Sequence, residues 1–172
     1  IYYKLNNILK IFREEKVSTS HFNQSTGSGH DDLSRQKIDE VFAKFFLAEK
    51  SAVRMQFVSG THALSSVLFG ILRPGDVMLS VTGTPYDTLE EVIGLRRTGK
   101  GSLLDLGVKY RQINIDEKIN LYEDKLEDFF KHNKCKLVFI QKSCGYSWRK
   151  SLNNNQIKPV SYTHLRAHET SL

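Results

Sequence analysis

The stretch VMLSVTGTPYDTLEEVIGL, residues 77–95, passes from a strand pattern to a helix pattern across a single turn. Its first five residues form a short apolar run of the kind found in buried strands, and Gly83-Thr84-Pro85 ends that run. A helix is predicted from about Asp87 to Leu95. The order strand, turn and helix within so few residues indicates the beginning of a βαβ unit.

The same alternation continues on both sides of this stretch. Upstream, a strand-like run at residues 52–58 leads through Ser59-Gly60-Thr61 into a predicted helix, whose apolar residues are Leu64, Val67, Leu68 and Ile71. Downstream, the predicted elements are a strand from Val108 to Ile113, a helix from about Tyr122 to His132 and a strand from Lys136 to Gln141. Strands that alternate with helices of this length predict an α/β fold with a mostly parallel sheet flanked by helices.

Residues 1–50 precede this pattern and contain two predicted amphipathic helices. The first covers residues 1–16, with apolar positions at Ile1, Leu5, Ile8, Leu9 and Phe12. The second follows Asp31-Asp32, and its apolar positions are Ile38, Val41, Phe42, Phe45 and Phe46. A polar loop with Gly27-Ser28-Gly29 is predicted between them.

The chain has 172 residues, of which 40% are hydrophobic and 26% charged, and this composition excludes collagen-like and wholly disordered chains. No run approaches the ~18 apolar residues of a membrane span, and the N-terminus lacks an apolar signal core. A soluble, cytoplasmic protein without a membrane partner is therefore expected. Cys135 and Cys144 have no neighbours at metal-ligand spacing, so reduced thiols and no metal site are expected.

The net charge of +6 invites comparison with nucleic-acid-binding proteins. Residues 142–172, however, contain five basic residues against one acidic residue, so most of the excess charge lies at the end of the chain. The remaining sequence is nearly balanced. No nucleic-acid partner is expected on this ground.

Ser59-Gly60-Thr61 has the composition of a phosphate site. Ligands of open α/β sheets bind at the carboxyl ends of the strands, where a helix N-terminus offers unpaired amides and a glycine lets an anion approach. The alternative interpretation is that Ser59 or Thr61 simply caps the helix. The triplet lacks the glycine pattern of a dinucleotide fingerprint and the Gly-Lys-Ser/Thr of a P-loop, which argues against NAD and ATP.

Two further turns carry side chains that could contact a ligand. In the turn at residues 83–88, Tyr86 could present its ring to a flat ligand, or it could be a half-buried core tyrosine with Asp87 as the helix cap. The turn at residues 141–149 mixes cations, a thiol and aromatic rings. Lys142 there could equally be a solvated side chain, and Cys144 an inert thiol.

In order along the chain, these motifs resemble one family, the bacterial aluminium-resistance proteins, also called methionine gamma-lyase-related or cystathionine beta-lyase-like proteins. The motifs are VS and HF within residues 17–22, STG at 25–27, DDL and Arg35 within 31–35, VSGTHAL at 58–64, LRPGD at 72–76, TG and PYDTLEEVIG within 82–94, VFIQ at 138–141 and GYSWR at 145–149. The resemblance implies a pyridoxal-phosphate (PLP) enzyme of fold type I, the aspartate-aminotransferase fold. Residues 1–50 would then form N-terminal helices and an inter-subunit loop, and residues 51–157 part of the PLP-binding large domain.

The resemblance also implies roles for five residues. Ser59, Gly60 and Thr61 match the turn that holds the cofactor phosphate, and Tyr86 matches the tyrosine that stacks on the pyridine ring and helps in proton transfer. The loop from Thr26 to Arg35 matches a segment that reaches the neighbouring subunit's active site in a dimer-based homo-oligomer, with Arg35 as a phosphate contact. Ser28, His30 and Ser34 depart from the residues usual in that loop.

The function implied is that of a carbon–sulfur lyase acting on a sulfur-containing amino acid. The Schiff-base lysine and the acid opposite the pyridine nitrogen are expected on strands beyond this chain, and Lys142 is not assigned to that role. We therefore expect an N-terminal fragment without lyase turnover, ending in a foreign, adaptor-like tail at residues 158–172. The alternative is a non-catalytic α/β domain that binds a phosphorylated ligand or another subunit.

Overall fold

The computed structural model describes residues 2–23, 32–96, 99–115, 123–145, 148 and 151–159. The chain divides into two compact units, residues 1–58 and residues 59–172. None of the helices in the described part of the chain is long and apolar enough to cross a membrane.

The first unit is built from two helices. Helix α1 spans Tyr2–Glu14 and α2 spans Leu33–Phe45, close to their predicted bounds, and a short 3-10 helix at Thr19–Phe22 occupies part of the predicted loop. Lys44 of α2 forms ion pairs with Glu14 and Glu15 of α1, at 3.0 and 2.8 Å. The predicted inter-subunit loop falls mainly on residues 24–31, which lie outside the described part of the chain.

The predicted strand at residues 52–58 is wrong. This segment is irregular, with a turn at Met55-Gln56, and the side chain of Met55 is 93% exposed. The reason is Asp39 of α2, whose carboxylate accepts a hydrogen bond from the backbone N–H of Val53 at 2.7 Å and pairs with Arg54 at 2.8 Å. A backbone donor that a strand would use for its ladder is therefore bound to a helix side chain.

The second unit contains a parallel sheet of three strands in the order β2-β1-β3. The strands are β1 at Val77–Ser80, β2 at Lys109–Gln112 and β3 at Leu137–Phe139, all within the predicted strand segments. Val77 pairs with Lys109, and Met78 pairs with Leu137. The sheet confirms the predicted α/β class with parallel strands.

Helices cover both faces of this sheet. The covering helices are α3 at Gly60–Ile71 and α4 at Asp87–Ile93 on one face, and α5 at Glu123–His132 on the other. A further, unpredicted helix, α6, spans Asn154–Pro159. Met78 of β1 packs with Leu68 of α3 and Leu89 of α4, whereas Leu79 and its neighbour Val81 pack against Leu126 of α5. Alternate residues of β1 thus point into two separate cores, as expected for a central strand.

Helix α3 buries only one of the four residues predicted on its apolar face. Leu68 and the following Leu72 are buried, but Leu64, Val67 and Ile71 are about half exposed. The helix ends before a turn in which the backbone N–H of Arg73 donates to the carboxylate of Asp76 at 2.8 Å. That turn directs the chain into β1.

Candidate functional site

Helix α3 begins at Ser59, which caps it. The hydroxyl oxygen of Ser59 accepts a hydrogen bond from the backbone N–H of His62 at 3.0 Å. The capping interpretation of Ser59 is therefore correct. A capping hydroxyl still has its own hydrogen to donate, so the cap leaves the serine able to contact an anion.

The first turn of α3 has the features that a phosphate group requires. Its first amides, those of Gly60 and Thr61, have no carbonyl partner within the helix. A Cβ placed on Gly60 would meet nothing within 4 Å, so open space adjoins the start of the helix. The hydroxyl of Thr61 shares a hydrogen bond of 2.7 Å with the hydroxyl of Thr88 in α4.

Tyr86 stands immediately before α4, at the end of the turn that follows β1. It occupies the N-cap position without a side-chain cap. Asp87, which the alternative interpretation of this turn made the cap, accepts a hydrogen bond from the backbone N–H of Thr88 instead. The side chain of Tyr86 is 38% exposed, so one part of the ring is packed and the rest is accessible. Partial burial agrees with a half-buried core tyrosine, and it also leaves part of Tyr86 accessible to a ligand.

The turn after β3 contacts the turn that carries Tyr86. The side-chain oxygen of Gln141 accepts a hydrogen bond from the backbone N–H of Tyr86 at 3.0 Å, and the backbone N–H of Gln141 donates to the hydroxyl of Thr82 at 3.0 Å. Gly145 lies against the Tyr86 ring, because a Cβ on Gly145 would be 3.2 Å from Cδ2 of Tyr86. The three turns singled out in the sequence therefore form one connected cluster at the carboxyl ends of β1 and β3.

The remaining candidate residues make the following contacts. Arg35 lies in the first turn of α2, in the first unit, where its backbone N–H donates to the carboxylate of Asp32 at 3.1 Å. The ammonium of Lys142 donates to the side-chain oxygen of Asn154 at 2.7 Å. Neither Cys135 nor Cys144 forms a disulfide.

Burial opposes the ionisation of two groups in the second unit. It raises the pKa of Tyr110 in β2 to about 12 and raises the pKa of the Cys135 thiol. Both groups are therefore protonated near neutral pH, which makes Cys135 a poor nucleophile. Among the described residues, no group of three or more His, Cys, Asp or Glu side chains could hold a metal ion.

Comparison with known proteins decides the family. The family described as methionine gamma-lyase matches residues 2–169. The chain belongs to this family. The match includes most of residues 158–172, whose foreign origin stays a prediction.

Individual relatives agree with this assignment. An uncharacterized Bacillus subtilis protein, YnbB, is 41% identical over 154 residues, which are 89% of this chain and 36% of YnbB. The crystal structure of a proposed cystathionine beta-lyase involved in aluminium resistance from Clostridium acetobutylicum superposes with a TM-score of 0.89 at 40% identity, covering 96% of this chain and 40% of that one. A carbon–sulfur lyase involved in aluminium resistance from Clostridium novyi gives a TM-score of 0.83 at 41% identity, covering 92% and 38%.

The chain spans about two fifths of the length of these family members. The predicted resemblance to the aluminium-resistance, methionine gamma-lyase-related family is thus confirmed.

Sequence reasoning assigned no role to Thr88, Gln141 or Gly145, although all three connect the site. Each lies within one of the motifs that resemble the family, and this resemblance is the sequence signal that could have identified them. Their roles depend on contacts across 27 to 59 residues of chain, and spacing along one segment does not reveal such contacts.

Proposed function

We propose that this chain is part of a cytoplasmic, PLP-dependent carbon–sulfur lyase of fold type I that acts on a sulfur-containing amino acid. The family, and the lyase names of the relatives with solved structures, support this proposal. The observation that carries it is the 2.7 Å hydrogen bond between Thr61 and Thr88. It brings a helix start suited to a phosphate beside the turn that carries the exposed ring of Tyr86.

The described residues fit a ligand that has both a phosphate and a planar ring. Open space adjoins Gly60, and the amides of Gly60 and Thr61 can donate to phosphate oxygens with the favourable end of the α3 dipole behind them. The hydroxyls of Ser59 and Thr61 add further donors. The partly exposed ring of Tyr86 offers a face on which a pyridine ring can stack.

When bound, PLP supplies a ring that accepts the negative charge left by removal of a proton from the substrate's α carbon. In this proposal the Ser59–Thr61 turn binds the phosphate and so fixes where the ring lies. Tyr86 orients the ring by stacking and excludes water from one of its faces. Its phenol oxygen can hold a proton at the edge of the site and release it to the departing thiolate, which then leaves as a thiol.

Arg35 is proposed to complete the site of a neighbouring subunit in a dimer-based assembly. A guanidinium binds phosphate oxygens with two parallel hydrogen bonds, which suits this residue type to the role. Arg35 lies in the first turn of α2, directly after the loop that would reach across. The partial PLP-binding domain would comprise residues 51–157.

Calorimetric titration of the full chain tests the proposal. The probe is pyridoxamine 5′-phosphate, which has no aldehyde and so does not label lysines; pyridoxamine and inorganic phosphate are the comparison ligands. We expect pyridoxamine 5′-phosphate to bind more tightly than either comparison ligand. Ser59→Asp retains a capping oxygen but places a negative charge beside the phosphate, and we expect it to weaken binding by more than about tenfold.

Ser66→Asp is the matched control, because it adds the same charge to the exposed middle of α3. It should leave the affinity for pyridoxamine 5′-phosphate nearly unchanged. Equal affinity for pyridoxamine 5′-phosphate and inorganic phosphate would instead favour the non-catalytic phosphate-binding domain. Absence of binding by the unmodified chain would overturn both functions.

A further inference from the structure

Gln141 uses three of its polar groups to connect two turns of the site. Its side-chain oxygen accepts from the backbone N–H of Tyr86 at 3.0 Å, and its side-chain nitrogen donates to the carbonyl of Ser143 at 3.2 Å. Its own backbone N–H donates to Thr82, which is 2% exposed. The residue is thereby anchored to the buried start of the turn that ends in Tyr86.

The two ends of the Gln141 amide bind two segments of the chain that meet at Tyr86. The oxygen holds the backbone from which the ring projects. The nitrogen holds Ser143, two residues before Gly145, and Gly145 is the residue that the ring packs against. One side chain therefore connects the backbone that carries the ring to the segment that the ring packs against.

A carboxamide is the side chain that suits these two partners. The backbone N–H of Tyr86 requires an acceptor, and the carbonyl of Ser143 requires a donor, so the amide can satisfy both in only one orientation. A carboxylate would accept the hydrogen bond from Tyr86 but would have no hydrogen to donate to the carbonyl of Ser143. An aliphatic side chain would satisfy neither.

We propose that Gln141 is a positioning residue that holds Tyr86 in the orientation needed to stack on a pyridine ring. This inference rests on the proposed function, because stacking is the role given there to Tyr86. Gln141 itself need not contact the ligand. Its effect should therefore appear in ring binding and leave phosphate binding intact.

The test compares three variants of the full chain. Gln141→Leu removes both side-chain hydrogen bonds, Gln141→Glu retains the acceptor for Tyr86, and Gln112→Leu is a control at an exposed glutamine of β2. Binding of pyridoxamine 5′-phosphate and of inorganic phosphate is measured by calorimetry. Hydrogen exchange of the Tyr86 backbone amide is measured by NMR without any ligand.

Gln141→Leu should weaken pyridoxamine 5′-phosphate binding by about fivefold, the effect of one net hydrogen bond, and leave inorganic phosphate binding unchanged. Exchange of the Tyr86 amide should accelerate in Gln141→Leu and stay slow in Gln141→Glu and Gln112→Leu. Equal weakening for both ligands would show a merely structural role and overturn the proposal.

The exchange measurement separates this proposal from the proposed function. If the unmodified chain binds neither ligand, the proposed function fails. In that case unchanged exchange of the Tyr86 amide in Gln141→Leu would show in addition that Gln141 does not hold Tyr86.

Discussion

Gly145 lies against the ring of Tyr86 in a backbone conformation that other residues rarely adopt. Its φ is +56°, and the nearest ring atom would be 3.2 Å from an added Cβ. The glycine therefore serves two purposes, a left-handed turn and a close approach to an aromatic ring. The absence of a side chain at Gly145 therefore allows the chain to approach the ring of Tyr86 this closely.

Gly145→Ala should lower the free energy of unfolding by about 1–2 kcal/mol through backbone strain and should displace the Tyr86 ring. Gly75→Ala is the matched control, because Gly75 also has a positive φ, +91°, but has nothing within 4 Å of an added Cβ. Both variants should show the strain in urea unfolding. Only Gly145→Ala should weaken pyridoxamine 5′-phosphate binding, and an equal loss in Gly75→Ala would contradict this explanation.

The raised pKa of Tyr110 predicts that the folded chain loses stability at alkaline pH. Its pKa rises from 10.0 to about 12 on folding, mainly because burial disfavours the phenolate. The stabilisation is fully present below pH 10 and is lost as the pH rises towards about 12, since only the unfolded chain then releases this proton. Urea unfolding between these pH values should show the decline.

Tyr110→Phe should reduce that decline, because it removes the titrating hydroxyl. Tyr3→Phe, at a side chain that is 84% exposed, should leave the decline as it is. If the free energy of unfolding falls as steeply with pH in Tyr110→Phe as in the unmodified chain, a group other than Tyr110 causes the decline.

At the scale of elements, capping residues in the sequence mark where helices α2 and α3 begin. Ser59 and Asp32 each accept a backbone N–H from the first turn of the helix that follows, at 3.0 and 3.1 Å. Such caps depend on residues three positions apart and are visible in a sequence. The strand predicted at residues 52–58 rests on the same kind of local pattern and is wrong. That pattern does not include Asp39, which binds Val53 and Arg54 from α2.

Ser59→Ala should destabilise the second unit by about 1 kcal/mol, because the backbone N–H of His62 loses its acceptor. Ser59→Asp should restore most of that stability, since a carboxylate is also a good cap. The measurement is chemical unfolding followed by circular dichroism. Identical stability of Ser59→Ala and the unmodified chain would mean that this cap contributes little.

At the scale of the whole molecule, the two compact units have different kinds of core. In the second unit β1 lies between two strands and two helix layers, and Met78 is completely buried. In the first unit, an apolar cavity of about 310 Å³ lies between α1 and α2, and α2 leaves Phe42 and Phe46 substantially exposed. The site cluster therefore stands on the more densely buried unit.

The chain's two methionines test this contrast directly. Met78→Ala should destabilise the second unit by about 2–5 kcal/mol, because it leaves a cavity in a closed core. Met55→Ala should change the stability by less than about 0.5 kcal/mol, since its side chain is 93% exposed. A large loss in Met55→Ala, measured by urea unfolding, would mean that residues 52–58 are a buried strand after all.

The sequence by itself determined the α/β class, the three strands of the sheet, the helices α1 to α5 and the family. These follow from apolar periodicity, from capping residues and from motifs, all of which are local properties. Tertiary structure alone decided that Asp39 binds Val53 and Arg54 where the sequence predicts a strand. It also decided that the other predicted apolar residues of α3 stay about half exposed: Leu64, Val67 and Ile71. It also decided that Thr88, Gln141 and Gly145 join three turns into one site, because hydrogen bonds and close contacts between distant segments exist only once the chain has folded.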